Sequence, residues 1–168
     1  LASHNKQHPV VSAFRVSDAR GDIRWGKGVD QQKIVNIADR EHFQQHRAAP
    51  AERMFVTEPL YARIQASWVI VFSRSYRAPD GSFAGVISAP VPVDHFVRLL
   101  SRLNLGEGGT AAIRHNNLGL VARYPPIQVV GSAIGNRDVS PEFRAVFETG
   151  AASASYFTPR AAVDGTAR

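Results

Sequence analysis

The chain has 168 residues, 44% of them hydrophobic, with a net charge of +6 and no cysteine. That composition supports a packed core but excludes a disulfide framework and a thiolate metal centre. No run reaches the roughly 18 apolar residues that span a bilayer. The arginines, from Arg15, Arg20 and Arg24 onward, stand singly as solvated groups rather than in a phosphate-tracking stripe, which argues against nucleic acid as a partner.

In chain order, Val10 to Ser17, Asp18-Ala-Arg-Gly21 and Asp22 to Gly26 read as strand, tight turn and strand, with Gly21 supplying the positive φ. Ala38-Asp-Arg-Glu-His-Phe43 opens a helix that Asp39 is expected to cap and that runs through Gln45. A short strand, Phe55 to Pro59, follows. Ser67 to Tyr76 and Ser82 to Val91 are the long strands, joined by the turn Ala78-Pro-Asp-Gly81. Trp68-Val-Ile-Val-Phe72 is nearly all apolar, as in a strand covered on both faces, while Phe83 to Ala89 is lined with small residues. Pro90 and Pro92 are expected to end strand pairing, and Asp94 to cap a helix reaching about Leu103.

The same grammar then recurs. Thr110 to His115, Asn116-Asn-Leu-Gly119 and Leu120 to Tyr124 repeat the hairpin, and Gly119 follows Gly21 by 98 residues. Ser140 caps a second helix, Pro141 takes its first position, and Phe143 stands 100 residues after Phe43. Ser155 to Pro159 is expected to be the counterpart of the strand ending at Pro59. The fold class predicted is α+β: tandem modules, each an antiparallel sheet flanked by helices, with the boundary at a glycine-rich joint, giving units 1–104 and 105–168. The second module is read as incomplete, because counterparts of the two long strands would begin where the sequence ends. Leu1 follows neither methionine nor a signal-peptide layout, so we expect a domain cut from a longer protein.

Catalytic signatures are missing. There is no phosphate loop, no Gly-x-Ser-x-Gly elbow, no dinucleotide fingerprint and no obvious carboxylate pair, so no catalytic residue and no cofactor is assigned. His42 and His46 share a helix face at metal-ligand spacing, yet no third ligand is evident; they are read as surface histidines and no metal is assigned. A binding pocket has more support. Arg40 sits at a helix start, where backbone N–H groups favour anions, with His42 and Phe43 on the first turn. Arg63 and Trp68 are expected to face that helix, with Arg74 and Tyr76 further along the strand. Arginine forks and aromatic walls suit a small carboxylate-bearing or planar ligand.

Asp39 to His46, Met54 to Pro59, Trp68 to Arg74, Pro79 to Ile87 and Val93 to Phe96 together resemble the double Cache domain, and Leu105 to Gly109 resembles its inter-module link. The resemblance implies two PAS-like modules: a membrane-distal ligand-binding one and a membrane-proximal one, after an amino-terminal helix here cut to about Leu1 to His8. It implies the periplasmic, extracytoplasmic sensor of a bacterial inner-membrane receptor, of the kind that precedes diguanylate cyclases (GGDEF proteins) or histidine kinases. Such a fragment is no enzyme and meets the membrane only through flanking helices. In amino-acid-binding members the helix-start motif is Arg-x-Trp-Tyr, and a later strand carries an aspartate for the ligand's amine. Arg40 matches the arginine, His42 and Phe43 replace the aromatics, and Pro90 stands at the aspartate position. The implied partner is thus a small molecule such as a carboxylate, with a homodimer possible in a second reading: a ligand-free dimerisation or protein-contact element.

Overall fold

The computed structural model describes residues 13–49, 53–126 and 133–161. The amino-terminal helix expected over Leu1 to His8, and the start of the first strand, lie outside them. The chain divides into two compact units, Leu1–His95 and Phe96–Arg168.

The first unit holds a six-stranded, wholly antiparallel sheet. Its strands are β1 (Arg15–Ser17), β2 (Ile23–Gly26), β3 (Phe55–Val56), β4 (Leu60–Ala62), β5 (Ser67–Arg77) and β6 (Phe83–Pro92). The order is β2-β1-β6-β5-β3, and β4 shares with β3 the far edge of β5. One helix, α1 (Glu41–Ala48), packs against β5 and β6. Strand residues facing α1 build the core with it: Ile23 and Val86 cluster with Ile37 and with Phe43 of α1, and Ala62, Val69 and Val71 form a second cluster beside Leu60. The opposite face carries Trp25, Tyr61, Trp68, Arg74 and Ile87, all exposed.

The long central ladder pairs Val69 with Pro92 and Val71 with Pro90, so the prolines do not end pairing as expected. The reason lies in the neighbouring strand. Val71 directs both its backbone groups the other way: its N–H donates to Thr57 Oγ1 and its C=O accepts from Thr57 N–H, each at 3.0 Å. Val71 and Pro90 therefore form a non-hydrogen-bonded pair, where a missing N–H costs the ladder nothing. The helix after β6, α2 (Val93–Leu100), begins at Val93, so Asp94 lies inside its first turn rather than capping it.

The second unit contains the hairpin β7 (Ala111–Arg114) and β8 (Leu120–Tyr124), and α3 (Pro141–Glu148). Ser140 caps α3 as expected, its Oγ accepting from Phe143 N–H at 3.2 Å, with Pro141 in the first turn. The segment 155–159 is irregular rather than a strand. Tyr156 turns its ring edge-on to Phe143 with centroids 5.7 Å apart, and Thr158 Oγ1 donates to Glu142 Oε2 at 2.9 Å, so side-chain contacts with α3 replace a ladder.

The repeat is written in hydrogen bonds. In the first hairpin Asp18 N–H donates to Asp22 O and Gly21 N–H to Asp18 O; in the second, His115 N–H donates to Gly119 O and Leu118 N–H to His115 O. These bonds correspond at a spacing of 97, so Leu118 (φ 71°), not Gly119, takes the place of Gly21 (φ 90°). Asn36 and Asn136 then make the same turn, each Oδ1 accepting the N–H two residues on at 2.8 Å. The helices Glu41–Ala48 and Pro141–Glu148 correspond residue for residue at a spacing of 100.

Candidate functional site

Arg40, not Asp39, is the residue before α1: its backbone is extended (φ −78°, ψ 136°) and its C=O accepts from Phe43 and Gln44. Asp39 is taken by a long-range partner. The Arg63 fork donates to both its carboxylate oxygens, at 2.8 and 2.6 Å, and reaches Asn36 O at 2.6 Å. That hydrogen-bonded guanidinium is the first cause holding the Asp39 carboxyl below its usual range, and Asp39 in turn raises Arg63. Arg40 leans across to the β4 strand, where its Nη2 donates to Tyr61 O at 3.0 Å. Burial, then the nearby charge of Arg63, disfavours the Arg40 charge.

Between α1 and the inner sheet face lies a narrow cleft of about 50 Å³. Its floor is Arg15, Ile23, Val71, Ser88 and Pro90; Leu60, Ala62, Val35 and Ile37 form its apolar walls; Arg40, His42 and Arg63 complete the lining. Three guanidinium groups and an imidazole thus converge with no carboxylate in the lining. Burial, with the charges of His46 and Arg40, lowers the His42 pKa to about 4, so the imidazole is neutral near pH 7. His46 Nε2 lies 3.0 Å from Ser73 Oγ, whose hydroxyl reaches Phe55 O at 3.3 Å. Both histidines are buried rather than surface groups as expected, because the helix face they share is the one against β5. Among the described residues no group of three or more His, Asp or Glu is placed to hold a metal ion.

Of the seven residues expected at the site, the structure gathers Arg40, His42 and Arg63. Phe43 is 0% exposed, set in the core with its ring edge-on to Phe83, centroids 5.6 Å apart. Trp68 is 44% exposed and lies on the other sheet face, its ring edge-on to Tyr61 at 6.0 Å. Arg74 shares that face by the parity of β5. Tyr76 crosses Gly85 to donate its hydroxyl to Ser17 O at 2.9 Å, a structural bond. The residue that sequence reasoning missed is Arg15, counted there among solvated arginines. Its signal was present: Ala13, Arg15 and Ser17 alternate with Phe14 and Val16, and all three of the former are buried.

The second unit has a wider cavity of about 520 Å³, lined by residues that include Arg114, Asp138, Ser140, Phe143 and Tyr156. Its Arg114 is tied to backbone, donating to the carbonyls of Leu118 (2.6 Å), Asn136 (3.1 Å) and Asp138 (3.3 Å). Ser140 is engaged in its cap. In the first unit's cleft Arg15 is held by Gln65 and Arg40 by Tyr61 O, each through one nitrogen, which makes it the better candidate.

No family model and no curated protein matches the chain by sequence. Solved structures do match by fold. The extracellular domain of rpHK1S-Z16, assigned as a histidine kinase, aligns with TM-score 0.77 and 25% identity over 94% of this chain and 63% of that one. The ligand-binding domain of the Pseudomonas aeruginosa PAO1 amino acid chemoreceptor PctC, solved with GABA, aligns with TM-score 0.55 and 17% identity over 80% and 60% of the two chains. That of the Campylobacter jejuni chemoreceptor Tlp3, solved with L-norvaline, gives 0.54 and 16% over 73% and 47%. The chain therefore spans less than two thirds of these domains. The matched regions are the extracellular or ligand-binding domains of receptors, and the antiparallel α+β architecture of this chain is the PAS- and Cache-like fold of such sensor domains.

Proposed function

We propose that the chain is the extracytoplasmic sensing domain of a membrane-anchored bacterial receptor and that its first module binds a small anionic or carboxylate ligand. Residues 1–104 are the membrane-distal module and 105–168 part of the membrane-proximal one. Ligand occupancy then biases a cytoplasmic output domain, of the diguanylate cyclase or histidine kinase type, through flanking helices. The fold likeness to receptor sensor domains supports the setting. The observation that carries the ligand class is the cleft lined by Arg15, Arg40 and Arg63 with no acidic side chain. PctC and Tlp3 are solved with GABA and L-norvaline, whose carboxylates suit an arginine in the same way. In this chain Pro90 lines the cleft where a ligand ammonium would need a carboxylate.

A thermal-shift screen of small anions tests the reading. Saturable stabilisation by a carboxylate, absent in Arg40→Ala, is the expected result; a ligand at 100 times its Kd adds about 2.7 kcal/mol. A second reading, a ligand-free dimerisation element, draws on the exposed outer face bearing Trp25, Tyr61 and Trp68. A flat screen with self-association unchanged by Arg40→Ala would select it.

A further inference from the structure

The cleft holds a cation that is both buried and incompletely partnered. Arg15, on β1, is 7% exposed. Its Nη1 donates to Gln65 Oε1 at 2.9 Å, but its Nε is buried without a hydrogen-bond partner, and among the described residues no carboxylate pairs with it. His42, lining the same cleft, is 4% exposed, and its Nδ1 also lacks a partner. A guanidinium keeps its proton at any pH of interest, so burying it without a counter-ion is strongly unfavourable. Two buried polar groups left unsatisfied in one cleft mark where an incoming molecule recovers the missing bonds.

We propose that Arg15 is the inner anion-recognising residue of this cleft, with His42 Nδ1 as a second donor, and that the ligand is a short monocarboxylate lacking an ammonium group. The assignment rests on the ligand-binding reading above and narrows it. A space of about 50 Å³ holds only a few water-sized volumes, which limits the ligand to about two to four carbons. The apolar lining, Val35, Ile37, Leu60, Ala62 and Val71, suits a short alkyl group, and no lining side chain is a carboxylate that would pair with an ammonium.

The experiment titrates sodium acetate and propionate, and separately sodium phosphate, glycine and glutarate, into ¹⁵N-labelled protein at constant ionic strength, following assigned arginine Nε–H resonances. The titrations are repeated with Arg15→Met and Arg40→Ala. We expect the Arg15 Nε–H signal to shift saturably with acetate or propionate, and Arg15→Met to weaken that binding at least about tenfold. Glycine, glutarate and phosphate should give no saturable shift. Binding that is lost in Arg40→Ala while the Arg15 signal stays still and Arg15→Met binds as the parent does would overturn the Arg15 assignment and leave the cleft reading standing. Equal binding of phosphate, glycine or glutarate would overturn the ligand class. No saturable binding of any anion by the parent overturns both. If Arg15→Met does not fold, the parent's Arg15 resonance decides alone.

Discussion

Asp39 receives both arms of the Arg63 fork, at 2.8 and 2.6 Å, and so ties the start of α1 to the loop after β4 across 24 positions of sequence. Both side chains are largely exposed, at 41% and 61%, so the bridge contributes less than about 1 kcal/mol to stability. It neutralises one of the three guanidinium groups of the cleft. Asp39→Asn should therefore cost little in urea unfolding, yet strengthen anion binding several-fold at low salt, with the gain fading as ionic strength rises. Weakened binding would show that Arg63 has to be held by Asp39 to act.

Phe43 and Trp68 separate the two faces of the sheet. Phe43→Ala empties a fully buried site and should cost about 3–5 kcal/mol, seen as a lower urea midpoint. Phe43→Leu should keep the fold and bind anions like the parent. Trp68→Ala, on the outer face, should leave anion affinity unchanged; a clear loss would place the tryptophan in the site after all.

Acid should loosen the first unit. The His42 pKa is depressed from 6.5 to about 4, so between those values the unfolded chain binds the proton and the folded one does not. Stability from this group is complete above about pH 6.5 and is lost as pH falls toward 4, amounting to on the order of 3 kcal/mol. Burial lowers His46 too, in the same direction. The groups acting on His42 are His46 and Arg40, which disfavour its protonation, and Asp39, which opposes them. Melting temperature measured from pH 4 to 7 should rise across that range, and His42→Gln should flatten the rise. An unchanged slope in the variant would assign the effect elsewhere.

Gly85 sets a third constraint. It has φ 147°, and a Cβ there would run into Ser17 O and lie 2.9 Å from the Tyr76 ring that crosses it. Gly85→Ala should cost more than about 2 kcal/mol. Gly81, also at positive φ but with nothing within 4 Å, is the control: Gly81→Ala should cost only the backbone term, roughly 1–2 kcal/mol.

Local rules carried much of the fold. The Pro79-Asp-Gly81 turn, the two long strands beside it, the Ser140-Pro141 helix start and the repeat all rest on neighbours within a few residues, and sequence displays those. What failed depends on distant partners. Asp39 has the chemistry of a cap, and only the arrival of Arg63 diverts it. The run Trp68 to Phe72 is apolar at every position, so it carries no alternation from which to tell which side chains look toward α1; Trp68, expected to face that helix, lies on the other side for that reason. Arg15 was legible in principle, since the pattern Ala13, Arg15, Ser17 marks inward positions, but a single cation in a short strand reads as surface until its burial is known.

The two prolines of β6 reach further than the ladder they sit in. Ala89 and Val91 turn their amides toward β5, so the positions of β6 that would send an N–H the other way are Pro90 and Pro92, which have none. That stretch of β6 therefore offers no backbone donor on its outer side. A backbone without donors is a poor template for strand addition, and Pro90, one of the two residues that strip it, is also part of the cleft lining.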